Sequence, residues 1–309
     1  MPRDITHSPG ENVQNFADRL LEAIDEKGSP VCVGLDPVYD RLPAALKRDG
    51  ADEAAQIEAI RIFCLGVLEA IAPHVPAVKP QSAYFEAYRG PGAQLYFDMV
   101  AEARRLGLLV IGDIKRNDIG STAAAYAAGH LGAQDSADAV TVNGYLGADG
   151  IEPFAAKARD TGRGLFVLVR TSNPSASQLQ DIADASGTKL FEHAADMVAG
   201  LGEGEGLIGQ RGYSSVGAVV GATWPQEAKM LRERMARQIF LVPGYGAQGA
   251  SAADCAASFK ADGTGAIVNA SRSVLQAHAS KQYARLDWPQ AIERAAKAFA
   301  ADIAQAVGR

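Results

Sequence analysis

Cysteine is scarce in this chain. Cys32, Cys64 and Cys255 stand far apart, with no CxxC or other metal-ligand spacing, so they read as buried, reduced thiols rather than a disulfide framework or a metal site. Long apolar runs are also missing. No stretch approaches the roughly 18–20 consecutive apolar residues of a membrane span, and no membrane segment is expected. Positive charge is in deficit: 30 Lys and Arg face 36 Asp and Glu, a net charge of −6. That removes the electrostatic footprint of nucleic-acid binding, and an anionic substrate must be held by a few placed cations. HExxH, Walker A and GxSxG motifs do not occur. The N-terminal stretch Met1 to Asn12 is polar, with Pro and Gly and without the apolar core of a signal peptide. A flexible tail over residues 1–12 and a cytoplasmic protein are expected.

What is present points to a parallel α/β fold. The 309 residues are 48% hydrophobic, ample for one large core. Short apolar runs alternate with helical patterns. Strands are predicted at Val31–Leu35, Val75–Lys79, Leu108–Asp113, Ala139–Val142, Leu165–Val169, Val216–Gly221, Ile239–Val242 and Ala266–Asn269. Helices are predicted at Glu53–Ile71, Gln94–Arg105, Ser121–Ala128, Leu190–Leu201, Pro225–Arg234 and Ala252–Phe259, with Gln14–Glu26 before the first strand and Pro289–Val307 at the end. Eight β-α repeats favour a closed (β/α)8 TIM barrel with an extra N-terminal helix, a single domain over 13–309. Two irregular stretches interrupt the pattern. Thr171–Thr188 follows the fifth strand on the expected catalytic face, the place for a lid. Gly-rich Gly202–Tyr213 lies on the opposite face and reads as a surface insertion.

The most informative segment is Asp113-Ile-Lys115-Arg-Asn-Asp118, directly after an apolar run. Alternate residues of a strand share a face, so Asp113 and Lys115 are expected to point the same way. In a barrel of parallel strands, the C-terminal strand ends carry the chemistry. Asp36 and Lys79 end the first two strands. Asn143 follows the fourth, Thr171 and Ser172 the fifth, and Gly221 and Thr223 the sixth. Such clustering of ionisable groups marks a functional candidate. The five histidines, His7, His74, His130, His193 and His278, avoid strand ends, so a histidine base or histidine metal site is not expected. Asp118 opens the next helix, and Thr122 lies one turn on. Asp118 reads either as support for that N-terminus or, with Thr122, as a group reaching towards a neighbouring molecule.

After the seventh strand comes Pro243-Gly-Tyr-Gly-Ala-Gln-Gly249, and after the eighth Asn269-Ala-Ser-Arg272. Paired loops at these two strands often bind phosphate, with glycine backbone and a helix start favouring an anion. Gln248 adds a neutral donor and Arg272 a bidentate one. The plain alternative is a flexible turn beside a surface arginine. Residues 244–249 also match GxGxxG, the mark of a dinucleotide-binding fold. They come late in the chain, however, and Asp262 falls short of the expected spacing.

Together these residues resemble the orotidine 5′-monophosphate decarboxylase family. DxKxxD at Asp113, Lys115 and Asp118, with Lys79 upstream, is its motif. The string from Asp113 to Thr122 resembles its second subfamily, common in bacteria. Val33-Gly-Leu-Asp-Pro37, Val78–Glu86, Arg170-Thr-Ser-Asn-Pro174 and Val242–Gly249 match as well, so the similarity runs from about Asn15 to Ala279. The resemblance implies a (β/α)8 homodimer with active sites at the subunit interface. It implies conversion of orotidine 5′-monophosphate to UMP and carbon dioxide without metal or organic cofactor. It implies a charged network of Lys79, Asp113, Lys115 and Asp118, the last donated by the partner. By the same resemblance Asp36, Lys79 and the partner's Thr122 hold ribose hydroxyls, Ser172 touches the pyrimidine, and Gln248 and Arg272 take the phosphate. Three rivals remain: a magnesium-dependent phosphosugar barrel sharing DxKxxD, a non-catalytic nucleotide binder, and the GxGxxG dehydrogenase.

Overall fold

Strands β1 (Val31–Leu35), β2 (Ala77–Pro80), β3 (Leu109–Arg116), β4 (Ala139–Val142), β5 (Gly164–Arg170), β6 (Ser214–Val220), β7 (Gln238–Pro243) and β8 (Ala266–Ala270) follow one another around a closed barrel. Each pairs in parallel with the next, and β8 returns to β1 at Val31↔Val268. The computed structural model describes residues 14–309; the tail expected over 1–12 lies outside them. Helix α1 (Phe16–Lys27) precedes the barrel. Around it run α2 (Glu53–Ile71), α3 (Ser82–Glu86), α4 (Arg89–Arg105), α5 (Gly120–Leu131), α6 (Ala148–Thr161), α7 (Ser177–Gln180), α8 (Leu190–Gly202), α9 (Pro225–Arg234), α10 (Ala252–Ala256), α11 (Arg272–Leu275) and α12 (Trp288–Ala306). The expected (β/α)8 architecture with its extra N-terminal helix is what the chain adopts. Among the described residues no helix is long and apolar enough to cross a membrane.

Strands covered on both faces must be apolar on both, and two core layers result. Val31, Val33 and Leu35 face the outer helices. Cys32, Ala77, Ile111, Phe166, Ile239 and Ile267 fill the barrel interior, where Phe16, Leu20, Leu21 and Ile24 of α1 join them. Helix α1 is therefore a plug in the N-terminal mouth. Asn15 caps it through its side chain on the Ala17 N–H, and left-handed Gly28 ends it. The Phe16 ring meets Phe166 edge to face at 5.9 Å. The Gly202–Tyr213 stretch proves more than a surface insertion. Buried Asp18 of α1 accepts the backbone N–H groups of Gln210 (2.7 Å) and Arg211 (2.9 Å), and Asn15 donates to the Leu207 carbonyl. The stretch clamps the plug. Nearby, the buried Asp138 carboxylate accepts from Arg19 (2.7 Å), Arg104 (2.5 Å) and the Val110 N–H (2.9 Å), so its charge is fully compensated.

Several element boundaries differ from expectation. Helix α6 was not anticipated: Pro153 lies inside it, and a proline that removes an internal hydrogen bond masks a helical pattern. Strand β3 runs on past Asp113 to Arg116, with a register shift against β4 between Gly112 and Arg116. Lys115 there has φ of 45°, the left-handed region that non-glycine residues avoid. Simple strand alternation therefore does not explain why Asp113 and Lys115 meet; the bulge delivers Lys115 to the same face.

Candidate active site

The C-terminal ends of the strands surround a cavity of about 690 Å³. Lys79, Asp113, Lys115, Asp36, Ser172, Gln248 and Arg272 all line it. Its centre is the Asp113 carboxylate. Lys79 Nζ from β2 reaches Oδ2 at 2.5 Å, and Lys115 Nζ reaches Oδ1 at 2.5 Å. Gln81 donates to Oδ2 (3.1 Å) and the Thr141 hydroxyl to Oδ1 (2.8 Å). Thr141 in turn accepts the Lys115 backbone N–H at 3.0 Å, so one hydroxyl ties the bulged backbone to the carboxylate it serves.

The electrostatics follow from burial and pairing. Burial alone would raise the Asp113 pKa, but Lys79 and then Lys115 outweigh it and hold the carboxyl well below the usual carboxylate range. Burial would lower Lys79, but the charges of Asp113 and then Asp36 outweigh it and raise the ammonium above its ordinary value. Both groups are ionised at neutral pH. The two lysines differ in access: the Lys79 side chain is 7% exposed and that of Lys115 is 45% exposed. Lys79 is a buried prop, whereas Lys115 faces the open cavity.

Residues around this centre are set by neighbouring strands. Gly34 at the end of β1 lets β8 come close, since a Cβ there would sit 1.9 Å from Ser271 Oγ; Arg272 follows directly. Gln248 and Arg272 face the cavity from adjacent loops. Helix α11 behind Arg272 has only four residues, so the expected helix-dipole help is slight. Behind Ser172, Trp224 Nε1 donates to the Thr171 carbonyl (2.9 Å), and Gln180 bonds Thr171 through both its amide groups. Arg170 is fully buried, 2.9 Å from Asp181 and stacked on Trp224 at 3.9 Å. The segment after β5 is thereby pinned at its base.

Two expected site residues stand apart. Asp118 and Thr122 do not line the cavity of their own chain. The carboxylate of Asp118 accepts its neighbour's N–H, from Ile119 at 2.8 Å, and Thr122 is exposed. Asn143 and Thr223 are also off the cavity; Asn143 lines a separate apolar pocket between β4, β5 and α8. Sequence reasoning missed Gln81 and Thr141. Thr141 had a signal, since it is the one polar residue in the apolar strand Ala139–Val142. The 244–249 stretch lies between the seventh strand of a closed barrel and a five-residue helix, which removes the open-sheet dinucleotide reading.

Residues 29–286 match the model of the orotidine 5′-phosphate decarboxylase / HUMPS family. The chain belongs to this family. Within the family, it is 41% identical over 296 residues to the orotidine 5′-phosphate decarboxylase of Rhodopirellula baltica, covering 92% of this chain and 97% of that one. The Deinococcus radiodurans enzyme of the same name is 46% identical over 270 residues, covering 87% and 90%. Among solved structures, a Streptomyces avermitilis chain provisionally named an orotidine 5′-phosphate decarboxylase superposes with a TM-score of 0.81 at 35% identity, covering 98% of this chain and 100% of that one.

Proposed function

We propose that this barrel decarboxylates orotidine 5′-monophosphate to UMP and carbon dioxide, a carboxy-lyase of pyrimidine biosynthesis, with Lys115 as the proton donor. Family membership and identities of 41% and 46% to decarboxylases of that name carry the activity. The observation that supports Lys115 is its half-exposed ammonium, 2.5 Å from a buried carboxylate and open to the cavity. Loss of carbon dioxide from the pyrimidine leaves a carbanion that the ring poorly delocalises. A fixed cation stabilises that charge as it forms and then delivers a proton. Asp113 orients Lys115 through its Oδ1, while Lys79 keeps Asp113 ionised.

In this reading Asp36 and Lys79 take ribose hydroxyls; Asp36 Oδ1 is buried without a hydrogen-bond partner, a free acceptor for one of them. Ser172 contacts the pyrimidine, and Gln248 and Arg272 bind phosphate, whose binding free energy holds the ring against the network. Asp118 and Thr122 serve the site of a second copy. Their position outside their own cavity supports this, as do the exposed Ile119 (54%), Tyr145 (70%) and Leu146 (44%), apolar groups suited to a subunit interface. We assign the chain to the second subfamily on its string from Asp113 to Thr122. Three buried unpaired thiols fit a reducing cytoplasm.

The test is the absorbance change of orotidine 5′-monophosphate with and without EDTA. Turnover unaffected by the chelator is expected. Failure to use this substrate, with a chelator-sensitive reaction on a sugar phosphate, would select the magnesium-dependent rival. Tight UMP binding without turnover would select a non-catalytic binder.

A further inference from the structure

The loop 244–249 has little to hold it. Gly244, Gly246 and Gly249 all have positive φ (119°, 67° and 92°), conformations that cost glycine nothing but leave the unliganded loop free to sample others. Only Tyr245 and Gln248 have side chains longer than a methyl group. Among the described residues, the loop's side chains make one hydrogen bond to the rest of the protein, Tyr245 Oη to Asp302 Oδ2 at 2.6 Å. The backbone adds a long contact, 3.4 Å from Arg272 to the Ala247 carbonyl. The other bonds close the loop on itself.

Asp302 lies on α12, far along the chain from any strand, and Phe299 one turn earlier shares its face. The Tyr245 ring rests on Phe299, centroids 4.8 Å apart. We propose that Tyr245 and Asp302 are positioning residues that fix the 244–249 loop against α12, so that Gln248 and the loop backbone stand ready for the substrate's phosphate. This rests on the reading of that loop as the phosphate site. The physical basis is preorganisation: a loop already held on one side loses less freedom when it closes on an anion. Burial, and then the Asp302 carboxylate, push the Tyr245 phenol up, so it donates throughout the working pH range.

The experiment compares Tyr245→Phe, Asp302→Ala and the double variant on orotidine 5′-monophosphate and on orotidine, which lacks the phosphate. Tyr245→Phe keeps the ring on Phe299, and Asp302 is a surface residue, so both variants are expected to fold with wild-type Tm. Each single variant is expected to lose about tenfold in kcat/KM on the nucleotide, the scale of one hydrogen bond to a charged group. On orotidine the change is expected to stay under about twofold, within the error of additive, uncoupled effects. The double variant should lose no more than either single one, and Asp302→Asn, which keeps an acceptor, should recover part of the loss. Equal losses on both substrates, additive losses, no loss, or a gain would each overturn the tether. Wild-type protein without activity on the nucleotide would overturn the decarboxylase reading itself.

Discussion

Replacing Lys115 by alanine tests the proposed proton donor separately from folding. Asp113 keeps Lys79, Gln81 and Thr141 as partners when Lys115 is removed, and the lost ammonium was 45% exposed. Screened by solvent, its pairing contributes no more than about 1 kcal/mol to stability. The backbone term does not change either. Lys115 sits at φ of 45°, which costs any residue with a Cβ about 1–2 kcal/mol, and alanine bears that cost as lysine does. Turnover is another matter. Deleting one electrostatic stabiliser of developing charge costs about 10²–10³-fold, or roughly 2.7–4 kcal/mol. Lys79 cannot substitute, because it grips the opposite carboxylate oxygen and is only 7% exposed. Lys115→Ala is therefore expected to lose at least about 10²-fold in kcat with a Tm close to wild type. Lys115→Gly should be as inactive yet no less stable, since glycine relieves the left-handed strain. Activity is read from substrate absorbance, stability from thermal melts, and ligand affinity from UMP titration. Near-normal turnover in a folded Lys115→Ala protein with ordinary UMP affinity would refute the assignment.

Other expectations follow from the same geometry. Asp113→Ala should destabilise by about 3–5 kcal/mol by leaving the Lys79 ammonium buried and unpaired, and adding Lys79→Met should restore much of that in urea melts; additive losses would contradict the pairing. The folded Asp113 pKa is depressed, so its stabilisation is fully present above the unfolded value near ~3.9 and fades as pH falls towards the folded one. Stability curves of wild type and Asp113→Ala should thus converge only in strong acid, and kcat should show no Asp113 limb in the ordinary carboxylate range. Asp138→Ala should cost about 1–3 kcal/mol, since the buried Val110 N–H loses its acceptor while the partly exposed Arg19 and Arg104 turn to solvent, without altering kcat of the folded fraction; a changed kcat would mean the plug end communicates with the site. If, as proposed, two copies share their sites, mixed Lys115→Ala and Asp118→Ala chains should regain activity, because one of the two sites in a heterodimer would be intact; no recovery after exchange would speak against shared sites.

The chain by itself determined the barrel and most of the charged rim of its cavity. Eight apolar runs separated by helical patterns report burial on both faces, and burial is written locally in side-chain type. The charges at Asp36, Lys79, Asp113 and Lys115 were legible because ionisable groups at the ends of apolar strands are too costly to be incidental. Tertiary structure alone decided what depends on residues distant in sequence. It brought Gln81 and Thr141 to Asp113, gave Lys115 its left-handed turn, and made the Gly202–Tyr213 stretch a clamp on α1. It also set Asp118 and Thr122 outside their own cavity. Helix α6 stayed hidden because Pro153 breaks the local signal while packing overrides it. Periodicity records which residues leave water; it does not record which partner each finds, because that depends on the closure of the whole barrel.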